Sequence, residues 1–211
     1  MCKKLIIVGA GGMGREVLQW VKDINKIECV WDIVGFIDDN EHALDNIECD
    51  YGIVGSVSDW DVKKDEYFAV AIADPKIKRA VVERLKVREA NFATIIHPRA
   101  RIGEFNAIGK GSIIYPGAAL SVNICIGEFV TLLSSAIGHD VIIGDYSSIM
   151  GKCSVNGNVH IGDNVYLGCG CIVAPRRKIV DNVYAATGSV IMTNIRKSIK
   201  VMGNPARKYD L

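Results

Sequence analysis

The chain has 211 residues and 49% of them are hydrophobic, so it is long enough to bury a sizeable core in one or two domains. Its net charge of +1 argues against a protein that binds nucleic acid or an anionic membrane through a broadly basic surface. The seven cysteines are odd in number and scattered, which favours reduced thiols in the cytoplasm over a disulfide framework. The apolar stretch at residues 5–8 is too short for a signal peptide or a membrane span.

Apolar runs alternate with helical patterns through residues 1–96, the first of two domains that we expect. Apolar residues at helical spacing follow the first and the third run, and Pro75 marks the start of the second helix. This alternation predicts a small α/β domain with a parallel sheet, a half-size version of a Rossmann-like domain. Four apolar runs predict its buried parallel strands, at residues 5–8, 33–37, 67–72 and 92–96.

The loop after the first strand has the pattern G-x-G-x-x-G, from Gly9 to Gly14. A strand precedes it and a helix follows it, so its backbone can approach a phosphate at the helix N-terminus. The alternative is a tight strand-to-helix turn that binds nothing. A nucleotide smaller than a dinucleotide is favoured, because the domain is half-size and the nearest acidic pair lies unusually far along the chain. The candidate substrate-binding residues in this loop are Gly11, Gly12, Met13 and Gly14.

Two aspartates follow the second strand, at the sheet edge where parallel α/β domains bind their ligands. Asp38 and Asp39 can accept hydrogen bonds from a base or a ribose, and a solvated turn is the alternative for either one. Ala73, after the third strand, and Lys78, in the helix that follows it, complete the candidate contacts to a nucleotide sugar.

One apolar residue occurs at every sixth position from Ile102 to Ile191, with one five-residue step between Leu132 and Ile137. We call these residues anchors. Glycine follows seven of these sixteen anchors, and the residue four positions after an anchor is usually small or branched. A period of six fits neither an α-helix nor an alternating strand, but it is the hexapeptide signature of a parallel β-helix. The second domain is therefore predicted over residues 97–211, including a C-terminal segment.

Six short motifs occur in a distinctive order along both domains. They are Gly9-Ala10-Gly11-Gly12-Met13-Gly14-Arg15-Glu16, Gly35-Phe36-Ile37-Asp38-Asp39, Ile95-Ile96-His97-Pro98, Ile137-Gly138-His139-Asp140, Asn158-Val159-His160-Ile161-Gly162-Asp163 and Gly203-Asn204-Pro205-Ala206-Arg207. In these motifs the chain resembles the sialic-acid O-acetyltransferase and UDP-4-amino-sugar N-acetyltransferase family of hexapeptide-repeat enzymes. The resemblance implies a left-handed parallel β-helix that forms a homotrimer, with acetyl-CoA between adjacent helices. It also implies a sugar or nucleotide-sugar site formed by the N-terminal domain against a neighbouring helix.

Acetyl transfer to an amine or a hydroxyl needs a base that removes the acceptor's proton, and histidine suits this role near neutral pH. His139 lies two positions after an anchor, outside the inward-facing series, and Asp140 can orient its ring. Adjacent residues of a regular strand face opposite ways, so this contact requires a corner or a bulge, which the five-residue step can supply. From the residues alone, a surface histidine is an equal alternative. The resemblance implies that His139 is the catalytic base and Asp140 its acidic helper.

The other histidines are weaker candidates. His97 precedes a proline at the domain junction, His160 lies at a different phase of the hexad from His139, and His42 is in a polar loop. No converging set of three histidines is evident, so no metal is expected. Cys169 and Cys171 are expected to pack inside the coil rather than to bind a metal.

Candidate contacts to acetyl-CoA lie along the repeat. The cations at residues 176–178 can meet the phosphates of coenzyme A, with a solvated loop as an equal alternative. Arg177 falls on an inward position, where an unpaired guanidinium is costly to bury, so the segment is predicted to bulge outward. The candidate acetyl-CoA-binding residues are Ser148, Gly157, Cys169, Arg176, Arg177 and Gly188.

These features predict an acyltransferase that moves an acetyl group from acetyl-CoA to a nucleotide-linked amino sugar, in particular a UDP-4-amino sugar, in the synthesis of surface glycans. Among enzymes, the alternative is O-acetylation of sialic acid or another sugar. From a different class, the alternative is a non-catalytic, nucleotide-binding trimeric scaffold. We expect a cytoplasmic homotrimer that binds no nucleic acid and inserts into no membrane.

Overall fold

The structure, a computed structural model, describes residues 2–209. These residues form two compact units, one that ends at Pro98 and one that begins at Arg99. Neither helix in the described part of the chain has the length and apolar character needed to cross a lipid bilayer.

The first unit contains a parallel β-sheet and two helices. Its elements in chain order are β1 (Lys3–Val8), α1 (Gly12–Ile27), β2 (Trp31–Ile37), β3 (Ile53–Gly55), β4 (Glu66–Val70), α2 (Pro75–Lys86), β5 (Asn91–Phe92) and β6 (Ile95–Ile96). Within residues 2–98 the sheet has the order β3-β2-β1-β4-β5, and each neighbouring pair is parallel. The predicted α/β domain is thereby confirmed. The strand order reverses between β1 and β4, which is where sheets of this kind bind ligands.

The strands differ from the sequence prediction in two places. The pattern did not indicate β3, because three residues are too few to show a periodicity. Residues 92–96 were predicted as one strand but contribute to two, since residues 93 and 94 separate β5 from β6.

The central strand and the helices bury most of the apolar residues that the sequence pattern indicated, with Ile77 at the start of α2 as an exposed exception. Leu5 and Val8 at the two ends of the apolar run are 0% exposed, as expected of a strand covered on both faces. Helix α2 begins where the Asp74 carboxylate accepts hydrogen bonds from the backbone N–H groups of Lys76 and Ile77, both at 2.9 Å. This N-cap satisfies two of the helix's unpaired donors.

The cysteine prediction is wrong in two respects. Cys2 and Cys29 form a disulfide, because each precedes one of two paired strands, β1 and β2, and their Cα atoms lie 6.0 Å apart. The other five cysteines in residues 2–209 are free thiols. Cys171 packs inside the coil as predicted, but Cys169 is exposed because it lies at a corner rather than on an inward position.

The second unit is a parallel β-helix, as the hexapeptide repeat predicts. Within residues 99–209 it has sixteen two-residue strands, each ending at one of the sixteen anchors, followed by two further strands. They are β7 (Arg101–Ile102), β8 (Ala107–Ile108), β9 (Ile113–Ile114), β10 (Ala119–Leu120), β11 (Cys125–Ile126), β12 (Thr131–Leu132), β13 (Ala136–Ile137), β14 (Ile142–Ile143), β15 (Ser148–Ile149), β16 (Ser154–Val155), β17 (His160–Ile161), β18 (Tyr166–Leu167), β19 (Ile172–Val173), β20 (Lys178–Ile179), β21 (Tyr184–Ala185), β22 (Val190–Ile191), β23 (Lys200–Met202) and β24 (Arg207–Lys208). Among the sixteen two-residue strands that end at anchors, every third strand pairs in parallel, so successive coils stack into three sheets.

The fourteen anchors from Ile114 to Ile191 fill the interior of this unit with a continuous column of aliphatic side chains, whereas Ile102 in the first coil is 39% exposed. Serines at the small inward positions join one coil to the next. The hydroxyl of Ser147 donates to the Gly162 carbonyl at 2.9 Å and accepts from the Val165 N–H at 3.0 Å. Each such hydroxyl satisfies backbone groups that would otherwise be buried without a partner.

The five-residue step shortens one coil without disturbing the ladders. Leu120 pairs with Ile137, seventeen residues later, whereas Ile137 pairs with Val155, eighteen residues later. Pairing therefore stays in register on both sides of the step. The corner that follows, at Asp140, has a backbone φ of 57°.

Candidate active site

His139 and Asp140 contact each other at a corner of the β-helix. His139 Nδ1 lies 2.7 Å from Asp140 Oδ2, and the two side chains are 56% and 47% exposed. A carboxylate at Nδ1 favours the tautomer that carries its proton there, which leaves the lone pair of Nε2 facing away from Asp140. The pair can therefore accept a proton from a substrate that approaches Nε2.

The contact does not depend on the five-residue step, contrary to the sequence prediction. Asp140 has positive φ, but so do Asn123 and Asn158 at the equivalent corners of the preceding and following coils. An ordinary corner of this helix thus turns residue 140 back toward residue 139. Aspartate and asparagine tolerate this left-handed conformation better than most side chains do.

An open groove of about 810 Å³ runs along this corner. A volume of this size falls in the range of small-molecule sites. The groove is lined by His139, Asn156, Gly157, Arg176, Arg177 and Met192, among others. The sequence interpretation missed Asn156, although it lies eighteen residues, one coil, beyond Gly138, which also lines the groove.

The candidate acetyl-CoA residues separate into three groups. Gly157, Arg176 and Arg177 line the His139 groove. Cys169 and Gly188 are exposed at a different corner, where the Gly188 N–H donates to the Cys169 carbonyl at 2.9 Å. Ser148 is 0% exposed at the start of β15 and does not line the His139 groove.

Arg177 occupies its predicted inward position without the predicted bulge. The His160 N–H donates to the Arg177 carbonyl at 2.9 Å, and β17 pairs with β20 in continuous register. Its side chain is only half-buried, and its Nε donates a hydrogen bond to the Pro175 carbonyl at 3.0 Å. The exposed Arg176 and the half-buried Arg177 therefore place two positive charges in the groove.

A second candidate site lies in the first unit, at the glycine loop. Gly11 is the N-cap of α1 and supplies no side-chain cap, and Gly11 and Gly12 are both exposed. A Cβ on Gly11 would meet nothing within 4 Å. By contrast, a Cβ on the buried Gly14 would lie 1.9 Å from the carbonyl oxygen of Gly9. Gly14 thus allows the helix to pack on the strand end, and Gly11 and Gly12 leave the first N–H groups of α1 accessible, beside the half-buried Met13.

Asp38 and Asp39 make different contacts. Asp38 accepts from the Ala10 N–H in the glycine loop and from the Asn40 N–H, both at 2.8 Å. Asp39 accepts from the N–H and hydroxyl of Ser58 and from Arg84 Nη1, at 2.9, 3.1 and 3.3 Å. Burial alone would raise the pKa of Asp39, but the hydrogen bonds from Ser58 and Arg84 outweigh it and lower the pKa below its usual value.

A groove of about 620 Å³ lies beside these aspartates. Its lining includes Asp38, Asp39, Asn40, Glu41 and His42. His42 was predicted only as a loop residue, and its Nδ1 lies 3.0 Å from Asp45 Oδ2. Its position soon after the end of β2 could have indicated a ligand contact, because sheets of this kind bind ligands beyond the ends of their strands.

Lys78 is fully enclosed in the first unit, with 1% of its surface exposed. Burial lowers the pKa of its ammonium to about 7, and the nearby Asp74 carboxylate partly offsets that effect. Ala73, just after β4, is half-buried. Neither of the two remaining histidines is among the residues that line the groove of His139. His97 is 3% exposed with its Nε2 3.4 Å from Asp23, and His160 is an exposed residue of β17.

Comparison with known proteins agrees with this arrangement of two units. Residues 4–85 match the family model described as the PglD N-terminal domain. The chain is 33% identical over 208 residues to the GDP-perosamine N-acetyltransferase of Escherichia coli O157:H7. The aligned region covers 96% of this chain and 94% of that protein.

Solved structures share the fold over the same length. WeeI from Acinetobacter baumannii AYE has a TM-score of 0.84 at 26% identity, covering 97% of this chain and 99% of that chain. PerB from Caulobacter crescentus, solved in complex with CoA and GDP-perosamine, has a TM-score of 0.86 at 20% identity, covering 98% of this chain and 97% of that chain. Because the E. coli relative is 33% identical over nearly the whole chain, the chain belongs to the hexapeptide-repeat sugar acetyltransferase family and is an acyltransferase.

Proposed function

We propose that the protein is an acetyl-CoA-dependent N-acetyltransferase that acts on a nucleotide-linked 4-amino sugar in surface-glycan biosynthesis. The observation that carries the proposal is the His139–Asp140 pair at the edge of a groove with two arginines. A proton acceptor and an anion-binding surface are what a thioester of coenzyme A and an amine acceptor require. The E. coli relative, matched over nearly its whole length, is named as a GDP-perosamine N-acetyltransferase.

In the proposed mechanism, the amine nitrogen attacks the thioester carbonyl while Nε2 of His139 takes the proton from that nitrogen. Asp140 stabilises the imidazolium that forms. Backbone N–H groups at the groove stabilise the tetrahedral oxyanion. The intermediate collapses to the amide and expels the thiolate of coenzyme A, which takes up the proton.

We place the phosphates of coenzyme A against Arg176 and Arg177. Charge-assisted hydrogen bonds from arginine to phosphate are among the strongest available at a protein surface. Cys169 and Gly188 lie at another corner of the same helix and do not line this groove. If they also contact acetyl-CoA, they do so from a neighbouring copy, which is consistent with a homotrimer whose clefts lie between helices.

We place the nucleotide diphosphate at the N-terminus of α1 and the base in the groove beside Asp38. Lys78 was a candidate contact, but its side chain is enclosed, so we do not place it against the phosphates. The acidic lining of that groove, Asp38 and Glu41, favours a base with adjacent N–H donors. Guanine has two such donors on one edge, and the E. coli relative is named for a GDP-linked sugar. We therefore rank a GDP-linked 4-amino sugar before the UDP-linked one that the sequence resemblance suggested.

The test is an assay of thiol release from acetyl-CoA with matched acceptors. GDP- and UDP-linked 4-amino sugars are compared with the same nucleotide sugars carrying a 4-hydroxyl group. We expect turnover with a 4-amino sugar, and its absence with the 4-hydroxyl analogues. Turnover of only hydroxyl acceptors would replace the proposal with O-acetylation. No turnover, with melting-temperature shifts by nucleotides alone, would indicate a nucleotide-binding scaffold.

A further inference from the structure

Gly157 lies directly against the imidazole ring of His139. A Cβ atom on Gly157 would lie 2.5 Å from Nε2, 2.6 Å from Cε1 and 3.0 Å from Cδ2 of that ring. The three atoms nearest to such a Cβ all belong to His139. The two residues are eighteen positions apart, one coil of the helix, and the Asn158 N–H donates to the His139 carbonyl at 2.9 Å. The ring therefore packs directly against Gly157 in the next coil.

The backbone at Gly157 does not itself require glycine. Gly157 is absent from the glycines with positive φ, so an alanine could adopt its conformation without strain. The closest obstacle to a side chain at residue 157 is the ring of His139. Other glycines of the repeat, such as Gly138, would instead place a Cβ against backbone atoms of the next coil, at 2.6 Å.

We propose that Gly157 is a positioning residue for His139: because it has no side chain, the ring can lie where Nδ1 reaches Asp140. This inference rests on the proposed role of His139 as the base. A methyl group at residue 157 forces the ring to move, since carbon and nitrogen atoms do not approach to 2.5 Å. The ring is 56% exposed and can swing toward solvent, which breaks its 2.7 Å contact with Asp140 and displaces Nε2.

The first measurement is the steady-state kinetics of Gly157→Ala. We expect kcat to fall about ten- to a hundredfold, the scale of a misplaced catalytic group, while KM for acetyl-CoA and for the nucleotide sugar stays near the wild-type value. Gly151→Ala is the matched control, because Gly151 is absent from the glycines with positive φ and the atom nearest to its Cβ is Ser134 Oγ at 3.8 Å. The control is expected to keep wild-type kcat. Wild-type kcat in Gly157→Ala overturns the inference, as does a loss confined to the KM for acetyl-CoA.

The second measurement is a double-mutant cycle with His139→Ala, using a radiolabelled acetyl group to detect residual turnover. Without the ring there is nothing to displace, so adding Gly157→Ala is expected to cost no further activity. An equal fold-loss in both backgrounds shows that Gly157 acts independently of the ring, and overturns the inference. Full turnover of His139→Ala alone would instead contradict the proposed base, a different outcome from either result at residue 157.

Two further readouts do not depend on activity. A crystal structure of Gly157→Ala is expected to show the ring displaced and the Nδ1 to Asp140 separation beyond hydrogen-bond distance, and an unmoved ring overturns the inference. If Gly157→Ala does not fold, the double variant is expected to melt like His139→Ala, because the clash is with the ring. A double variant that also fails to fold places the clash elsewhere and overturns the inference.

Discussion

The carboxylate of Asp38 accepts a hydrogen bond of 2.8 Å from the backbone N–H of Ala10. This contact ties the end of β2 to the glycine loop that precedes α1. The two sequence features that suggested a nucleotide site are thus parts of one structure, although they are twenty-eight residues apart in the chain.

Asp38→Ala is expected to weaken nucleotide-sugar binding and to leave coenzyme A binding unchanged. The substitution removes an acceptor beside the proposed base groove and frees the glycine loop. The change is measured by calorimetric titration of each ligand. Asp39→Ala is the comparison. Because the partners of Asp39 are Ser58 and Arg84, this variant should lower the melting temperature but reduce nucleotide affinity less than Asp38→Ala does. Equal loss of both ligands in Asp38→Ala would point to damaged folding instead.

Gly14→Ala is expected to reduce stability, whereas Gly12→Ala is expected to reduce nucleotide binding. A Cβ on Gly14 meets the Gly9 carbonyl at 1.9 Å, so the helix must shift away from the strand. We expect that variant to lose about 1 to 3 kcal/mol of unfolding free energy, the usual cost of overpacking. A Cβ on Gly12 meets only Arg15 Nη2 at 3.9 Å, so stability should hold while the nucleotide diphosphate binds more weakly. Urea titration and nucleotide binding separate the two effects. Undiminished nucleotide affinity in Gly12→Ala would show that the phosphates do not bind at this loop.

Lys78→Met is expected to stabilise the protein at neutral pH, because the buried ammonium is replaced by an apolar side chain. Burial lowers the pKa of Lys78 from 10.5 to about 7, so between these values the unfolded chain binds a proton that the folded chain lacks. The wild type should therefore gain stability relative to Lys78→Met as the pH rises from about 7 toward 10.5. Melting temperatures of both proteins across this window measure the difference. A constant difference at all pH values would show that Lys78 keeps its charge in the folded state.

Arg177→Ala is expected to raise KM for acetyl-CoA severalfold and to leave KM for the nucleotide sugar unchanged. Its guanidinium lies in the groove of His139, where we place the CoA phosphates. Because the interaction is between charges near the surface, the effect should shrink at high salt. Arg101→Ala, an exposed cation in the first coil, is the control. A larger effect on the nucleotide sugar than on acetyl-CoA would place coenzyme A elsewhere.

The sequence predicted the β-helix in detail because each anchor position repeats the same local requirement. All sixteen anchors end a strand, including Ala185, the least apolar of them. The contact between His139 and Asp140 was also predicted, but for the wrong reason, since an ordinary corner and not the five-residue step turns Asp140 back.

Features that depend on pairing between distant segments could not be predicted. Hexad position does not distinguish the buried Ser148 from the half-buried Ser154, because each opens its strand just before an anchor. Lys78 reads as one more cation on an amphipathic helix, and only the packed unit shows that it is enclosed. The Cys2–Cys29 disulfide follows from strand pairing, which cysteine counting does not reveal.

The turnover number of His139→Ala tests the central claim most directly. We expect it to fall by about two to four orders of magnitude, the usual scale for losing a general base, with a smaller loss for Asp140→Asn. Affinity for coenzyme A should hold, since the side chain is 56% exposed and its removal leaves no core cavity. Raising the pH should recover part of the rate, because more of the amine acceptor is then already deprotonated. Turnover of His139→Ala near the wild-type value at neutral pH would contradict the account and place the base on another residue.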